Sequence, residues 1–95
     1  MRQPAVYIMA SQRNGTLYTG VTSDLSMRVF QHREGQRPGL TTQYGCKMLV
    51  YYQTYEDMDA AIAREKQIKG GSRRKKLMLI DRFNSEWRDL YADLA

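Results

Sequence analysis

A single cysteine stands among 95 residues, so no internal disulfide can form, and no second cysteine or histidine lies near Cys46 at zinc-ligand spacing. A lone thiol of this kind reads as a small buried filler, with a reactive group as the alternative. No apolar run approaches the ~20 residues that span a bilayer. Met1-Arg2-Gln3-Pro4 leads straight into a patterned strand and not into a signal-peptide apolar segment, so a cytoplasmic chain without membrane contact is expected. Internal repeats and low-complexity linkers are also missing. The length is too small to give two units an adequate core each, and one domain over 1–95 is expected.

What is present fits a folded domain, with 42% hydrophobic and 26% charged residues and the apolar positions spread along the chain. Fifteen Lys and Arg against ten Asp and Glu leave a formal charge of +5, which favours a polyanionic partner such as nucleic acid. The charge is uneven. Lys66, Lys69, Arg73, Arg74, Lys75 and Lys76 crowd one segment, whereas Asp81, Glu86, Asp89 and Asp93 make the C-terminal end acidic. Such a cluster is either a binding surface or a solvated helix face.

Ala5–Ala10 and Thr16–Val21 are short β-prone runs separated by Ser11-Gln12-Arg13-Asn14-Gly15, whose Asn-Gly pair signals a hairpin turn. Thr22, Ser23 and Asp24 offer helix caps, and Leu25, Val29 and Phe30 give an apolar stripe to about Arg33, with Gly35 as the stop. Gly35 to Gly45 reads as a surface loop carrying Pro38. Lys47–Gln53 is rich in aromatic and β-branched residues and is expected to form a third strand beside the hairpin. Asp57–Lys69 predicts a helix closed by Gly70-Gly71. Ser72 caps a third helix through Phe83, and Glu86–Leu94 adds a short terminal one. The order β-β-α-β-α-α predicts an α+β domain, a small sheet covered by helices.

Several polar residues break this pattern. On the second helix Met58, Ala61, Ile62 and Ile68 share one face, and Glu65 falls in the same stripe. A buried carboxylate costs several kcal/mol unless it is paired or holds a cation. Lys69, four residues on, offers an ordinary ion pair, and a metal ion is the alternative. Arg28 and His32, also four apart, border the stripe of the first helix. Arg28 can be a surface guanidinium with a buried stem, and His32 a half-buried ring satisfied by a backbone carbonyl. If the hairpin turn centres on Gln12 and Arg13, Tyr7 and Tyr18 stand opposite each other as packing partners with hydroxyls free to reach a polar neighbour. Gly20 faces the same side and leaves space for the close approach of a ligand.

Taken together, Ala5-Val6-Tyr7, Tyr18-Thr19-Gly20, Arg28, His32, the helical Glu65 and Asn84 ahead of Trp87 resemble the GIY-YIG nuclease family, and small stand-alone bacterial members most of all. The likeness runs from about Pro4 to Leu90. Two positions depart from the family pattern without removing a catalytic side chain: Ala5 stands for the glycine of the first element and Thr19 for the isoleucine of the second. The resemblance implies a three-stranded antiparallel sheet flanked by helices and a metal-dependent endonuclease acting on nucleic acid, taken here as DNA. Family members serve DNA repair, restriction, intron homing and the resolution of branched DNA, usually with extra domains that choose the target. The chain has no room for such a domain, so a separate protein partner for targeting is an expectation.

The resemblance also implies roles. Glu65 would bind one divalent cation, Mg²⁺ or Mn²⁺, and Arg28 would contact the scissile phosphate. Tyr7 would act as general base or position the attacking water, with His32 beside its hydroxyl to receive the proton. Tyr18 would hydrogen-bond in the same pocket, and Asn84 would orient the substrate or the base. A phenol, with pKa about 10, needs nearby positive charge to serve as a base at neutral pH, and Arg28 and the ion would supply it. One core-facing carboxylate on the helix argues for one ion and not two. The six basic residues from Lys66 to Lys76 would hold the flanking backbone with strong salt dependence. Two other readings stand beside this one. The first is a nucleic-acid-binding module that keeps the nuclease shape without cutting, and the second an interaction domain using Trp87 and the C-terminal segment. For Trp87 the plain alternative is an anchor that pins the chain end to the core.

Overall fold

The computed structural model describes residues 3–35 and 45–94, so most of the loop expected over Gly35 to Gly45 lies outside the described residues. Three strands, β1 (Ala5–Ala10), β2 (Leu17–Thr22) and β3 (Met48–Thr54), form one antiparallel sheet in the order β2-β1-β3. Among the described residues three α-helices accompany it, α1 (Leu25–Arg33), α2 (Met58–Gly70) and α3 (Arg73–Phe83). This is the α+β architecture that the element order predicts. The terminal segment differs from expectation: it forms a short 3₁₀ turn over Leu90–Leu94 instead of a helix from Glu86.

All six residues of β1 are buried, which a central strand covered on both faces requires. Its side chains alternate between two cores. Val6, Ile8 and Ala10 pack with Ala61, Ile68, Ile80 and Trp87 beneath α2 and α3. Ala5, Tyr7 and Met9 pack with Leu25, Val29 and Leu90 beneath α1 and the terminal turn. The helices begin where the sequence offers caps. Asp24, Asp57 and Ser72 accept from the backbone N–H groups of Met27, Ala60 and Lys75, each satisfying a donor that the first turn leaves open.

The hairpin register corrects the expected one. Ser11 N–H donates to Thr16 C=O at 3.0 Å and Gly15 N–H to Gln12 C=O at 2.9 Å, so the loop centres on Arg13 and Asn14, one residue later than predicted. Asn14 takes φ 58°, a left-handed conformation that asparagine tolerates better than most residues. Tyr7 therefore pairs with Gly20, and Tyr18 with Met9. The tyrosines are diagonal neighbours on one face instead of opposite each other.

The β1–β3 ladder carries a bulge between Ile8 and Met9, where Ile8 faces Tyr51 and Met9 faces Leu49. A bulge leaves backbone groups without ladder partners, and two side chains from beyond α3 take them. Asn84 Nδ2 donates to Val50 C=O at 3.3 Å, and Asp89 Oδ1 accepts from Leu49 N–H at 3.2 Å.

Candidate active site

Position 7 of the central strand puts a tyrosine ring on the α1 face, fully buried. The ring can lie close over β2 because its partner is glycine. A Cβ at Gly20 would fall 2.5 Å from Tyr7 Oη and 2.6 Å from Cζ. The space that the sequence reserves at Gly20 is therefore occupied by Tyr7 and not left for a ligand, a correction that follows from the shifted register. On the other side Tyr7 pairs with Tyr52 of β3.

Across from this ring stands α1. The apolar stripe predicted through Leu25, Val29 and Phe30 is realised as Leu25, Val29 and His32, while Phe30 is 41% exposed. His32 thus occupies a core position at 3% exposure, and its Nε2 meets Tyr7 Oη at 2.8 Å. The tautomer sets which of the two groups donates. Tyr18 completes an aromatic trio, its ring centroid 5.3 Å from His32 and 6.4 Å from Tyr7. Arg28 lies one turn before His32 and is half-buried, yet among the described residues it makes no hydrogen bond or ion pair. A partly desolvated guanidinium without a carboxylate is suited to an arriving phosphate.

The remaining expected residues lie elsewhere. Glu65 stands on α2, which crosses β1 and β2 on the opposite sheet face. Its carboxylate is 13% exposed and accepts from Lys69 Nζ at 2.8 Å, the intrahelical pair that the spacing offered as one of two explanations. Among the described residues no group of three or more His, Cys, Asp or Glu side chains is placed to hold a metal ion. Asn84 is buried and tied to backbone: Nδ2 donates to Arg88 C=O at 2.8 Å as well as to Val50, and Oδ1 accepts from Arg88 N–H at 3.1 Å. The structure shows it holding the end of α3 against β3. Trp87 is likewise buried and donates from Nε1 to Asp81 at 2.9 Å, so it anchors the chain end and offers no open contact surface.

The basic run is divided. Arg73 donates to the carbonyls of Asn14 and Gly15, both at 2.7 Å, clamping the hairpin turn. Lys69 is engaged by Glu65. Lys66 and Arg74 are exposed, and Lys75 and Lys76 line a groove between α2 and α3.

One pair that matters for the site had no local signal in the sequence. Arg33 bonds Asp89, donates to Lys47 C=O at 3.3 Å and places its guanidinium 4.8 Å from the Tyr91 ring centroid. Asp89 also accepts from Tyr91 N–H at 3.1 Å. This network fastens the C-terminal end of α1, and with it His32, to the edge of β3. The two partners are 56 residues apart, and Asp89 reads in the sequence only as part of an acidic tail. Cys46 is fully buried and its thiol is pushed up by burial, the inert filler of the two sequence readings.

Comparison with known proteins agrees with this arrangement. The family model of the GIY-YIG catalytic domain matches residues 3–78. UPF0213 proteins of Staphylococcus aureus and Staphylococcus saprophyticus are 41% and 37% identical over 75 residues, spanning 79% of this chain and 90% of each relative. The UPF0213 protein BH0048 of Bacillus halodurans, solved by solution NMR, superposes with a TM-score of 0.58 at 29% identity over 92% of both chains. Tyr7, Tyr18, Arg28, His32 and Glu65 all fall inside the matched segment, whereas Asn84 lies beyond it. The chain belongs to the GIY-YIG family of nucleases.

Proposed function

We infer that the domain is an endonuclease that hydrolyses phosphodiester bonds in DNA with the help of one divalent cation, Mg²⁺ or Mn²⁺. The observation that carries this reading is the buried Tyr7–His32 contact at 2.8 Å with Arg28, without a partner among the described residues, one turn away on the same helix. A core that needed only packing would gain more from apolar residues at these positions.

The residues divide the work. Tyr7 Oη orients the attacking water and takes its proton, which passes along the existing hydrogen bond to His32 Nε2. The water oxygen then forms the new bond to phosphorus while the ester oxygen leaves. Arg28 neutralises charge on the non-bridging oxygens, an interaction that strengthens as the transition state forms. Tyr18 packs on the imidazole and limits its rotation. Asp89 and Arg33 act through α1 as positioning residues.

The donor set suits a hard cation of modest protein coordination. Mg²⁺ is commonly held by one or two carboxylates, with waters and substrate phosphates filling the remaining positions, and Glu65 supplies one half-buried carboxylate. It would hold the ion in exchange for Lys69. A cation held there would supply Lewis-acid stabilisation to phosphate oxygens that come within reach of Glu65. Lys66 and Arg74 are the exposed members of the basic run for the flanking backbone.

The test is cleavage of supercoiled plasmid and of a branched duplex with Mg²⁺ or Mn²⁺ by the wild-type chain, Tyr7→Phe and Glu65→Gln. Loss of cutting in both variants with retained folding supports the reading, and equal cutting by all three proteins refutes it. The Glu65–Lys69 pair favours a second reading, a nucleic-acid-binding module that does not cut. Salt-sensitive DNA binding with no cleavage under any metal condition would select it.

A further inference from the structure

The helical layer on the sheet face opposite α1 carries a groove that the nuclease reading does not use. It lies between α2 and α3, has a volume of about 240 Å³, and is lined by Arg64, Lys75, Lys76 and Arg82 around Ile68, Met78 and Leu79. Its chemistry is two-sided. Four cations ring it and no carboxylate is among its lining residues, so it carries a positive field. Its floor is apolar, and Met78 is 48% exposed. Arg64 is held in place by its bond to Gln67 Oε1 at 3.1 Å, which fixes one cation at the rim before any partner arrives.

We propose that this groove docks a short amphipathic segment of a partner protein, with apolar side chains on the Met78–Leu79 floor and Asp or Glu facing the four cations. A nucleic-acid backbone would use the cations but gain little from an exposed methionine and a leucine between them. An acidic peptide with leucine or phenylalanine at helical spacing uses both halves, in the manner of a helix laid into a groove. Methionine adapts its shape to such a partner. The groove and the Tyr7–His32 contact belong to opposite faces of the sheet, so a peptide in the groove would not cover Tyr7. The surface would recruit the domain to its target, and the proposal stands whether or not the chain cuts DNA.

The experiment is NMR titration of the ¹⁵N-labelled full chain with three probes. The first is a peptide of a dozen residues with Leu and Phe at helical i, i+4, i+7 spacing and Asp or Glu between them. The second is the same peptide with serine at the apolar positions, and the third is a short DNA duplex. The first peptide is expected to shift the amides of Gln67, Gly71, Lys75, Met78 and Arg82 saturably and to bind at least tenfold more tightly than the serine version. Lys75→Glu combined with Arg82→Glu should weaken it at least tenfold. Met78→Ser, which leaves the charge intact, should reduce binding of the first peptide without affecting the second. DNA should bind the peptide-saturated protein as well as it binds the free one. The proposal is overturned if the first peptide binds no better than its serine counterpart or not at all, if the paired charge reversal leaves its affinity unchanged, or if DNA displaces it from these amides.

Discussion

Replacing Gly20 by alanine isolates the close approach on which the pocket depends. The added methyl carbon would fall 2.5 Å from Tyr7 Oη, 2.6 Å from Cζ and 3.0 Å from Cε1, distances that a real contact does not reach. The ring must move, and it is fully buried, with its hydroxyl bonded to His32. Overpacking of this kind costs about 1–3 kcal/mol, and loss of the hydroxyl bond adds about 1 kcal/mol. Gly20 does not take a left-handed φ, so alanine also recovers about 0.4–1 kcal/mol by restricting the unfolded chain. The net is about 1–3 kcal/mol of destabilisation, since the three terms partly offset one another. For a domain of this size each kcal/mol lowers Tm by about 4–8 °C, so thermal denaturation followed by circular dichroism should show a fall of roughly 4–24 °C. A double-mutant cycle with Tyr7→Leu tests the cause, because the shorter side chain removes the obstruction and should make the alanine nearly free, with a coupling of about 0.5–3 kcal/mol. Retention of Tm within about 1 °C, together with a large loss of cleavage, would refute the steric argument and return the space over Gly20 to a ligand.

Other outcomes follow from the same geometry. Tyr7→Phe leaves the His32 nitrogen buried without its partner and should cost about 1–3 kcal/mol in chemical denaturation as well as abolishing cleavage. Arg28→Ala should leave stability within about 0.5 kcal/mol, because no ion pair is lost, yet lower the cleavage rate by about 10²–10³ as removal of a transition-state donor does. Arg28→Lys should recover little of that rate, since an ammonium does not reproduce the planar fork. Asn84→Ala should destabilise the fold by about 1–3 kcal/mol, and its remaining cleavage should be normal once the folded fraction is taken into account. Burial raises the Cys46 thiol above its ordinary value, so its stabilising effect is complete below the unfolded thiol's value near 9 and is lost as pH rises beyond it. Alkylation by iodoacetamide at neutral pH should accordingly be slow until the chain is unfolded by denaturant.

Whatever depends on neighbours a few residues apart is legible in the sequence. The caps at Asp24 and Ser72 are local chemistry and start their helices where the sequence predicts, while Asp57, read as the first helical residue, is the cap one position before the helix. The hairpin is local as well, yet its register was missed. Asn-Gly signals a tight two-residue turn, but here Asn14 sits within a longer loop closed by the Ser11–Thr16 bond. A slip of one residue is enough to exchange Tyr18 for Gly20 as the partner of Tyr7. The expected apolar role of Phe30 failed for a related reason. A helix of nine residues buries few side chains, and His32 took one of those places because Tyr7 offers it a hydrogen bond that no apolar residue could make.

The candidate site divides in the same way. Tyr7, Tyr18 and His32 come together because strand alternation and helix periodicity each point a side chain into one core, and the contact between them crosses 25 residues of sequence that spacing alone cannot bridge. Family resemblance supplied that link. Asn84 illustrates the opposite case, since its position after α3 is legible while its partner is not. The Val50 carbonyl lies on the edge strand of the sheet, and only the packing of α3 against β3 brings Asn84 to it. Glu65 lies between these extremes: its place in an apolar stripe marks it from sequence, and two explanations, Lys69 or a cation, follow from one spacing. The carboxylate bonds Lys69 at 2.8 Å, and the lysine itself is 53% exposed. The carboxylate itself is only 13% exposed, so it needs a cationic partner, whether the lysine or an ion. A divalent ion would have to replace the lysine and not merely remove it, and with the lysine half exposed that exchange leaves the ammonium in water and the carboxylate still paired.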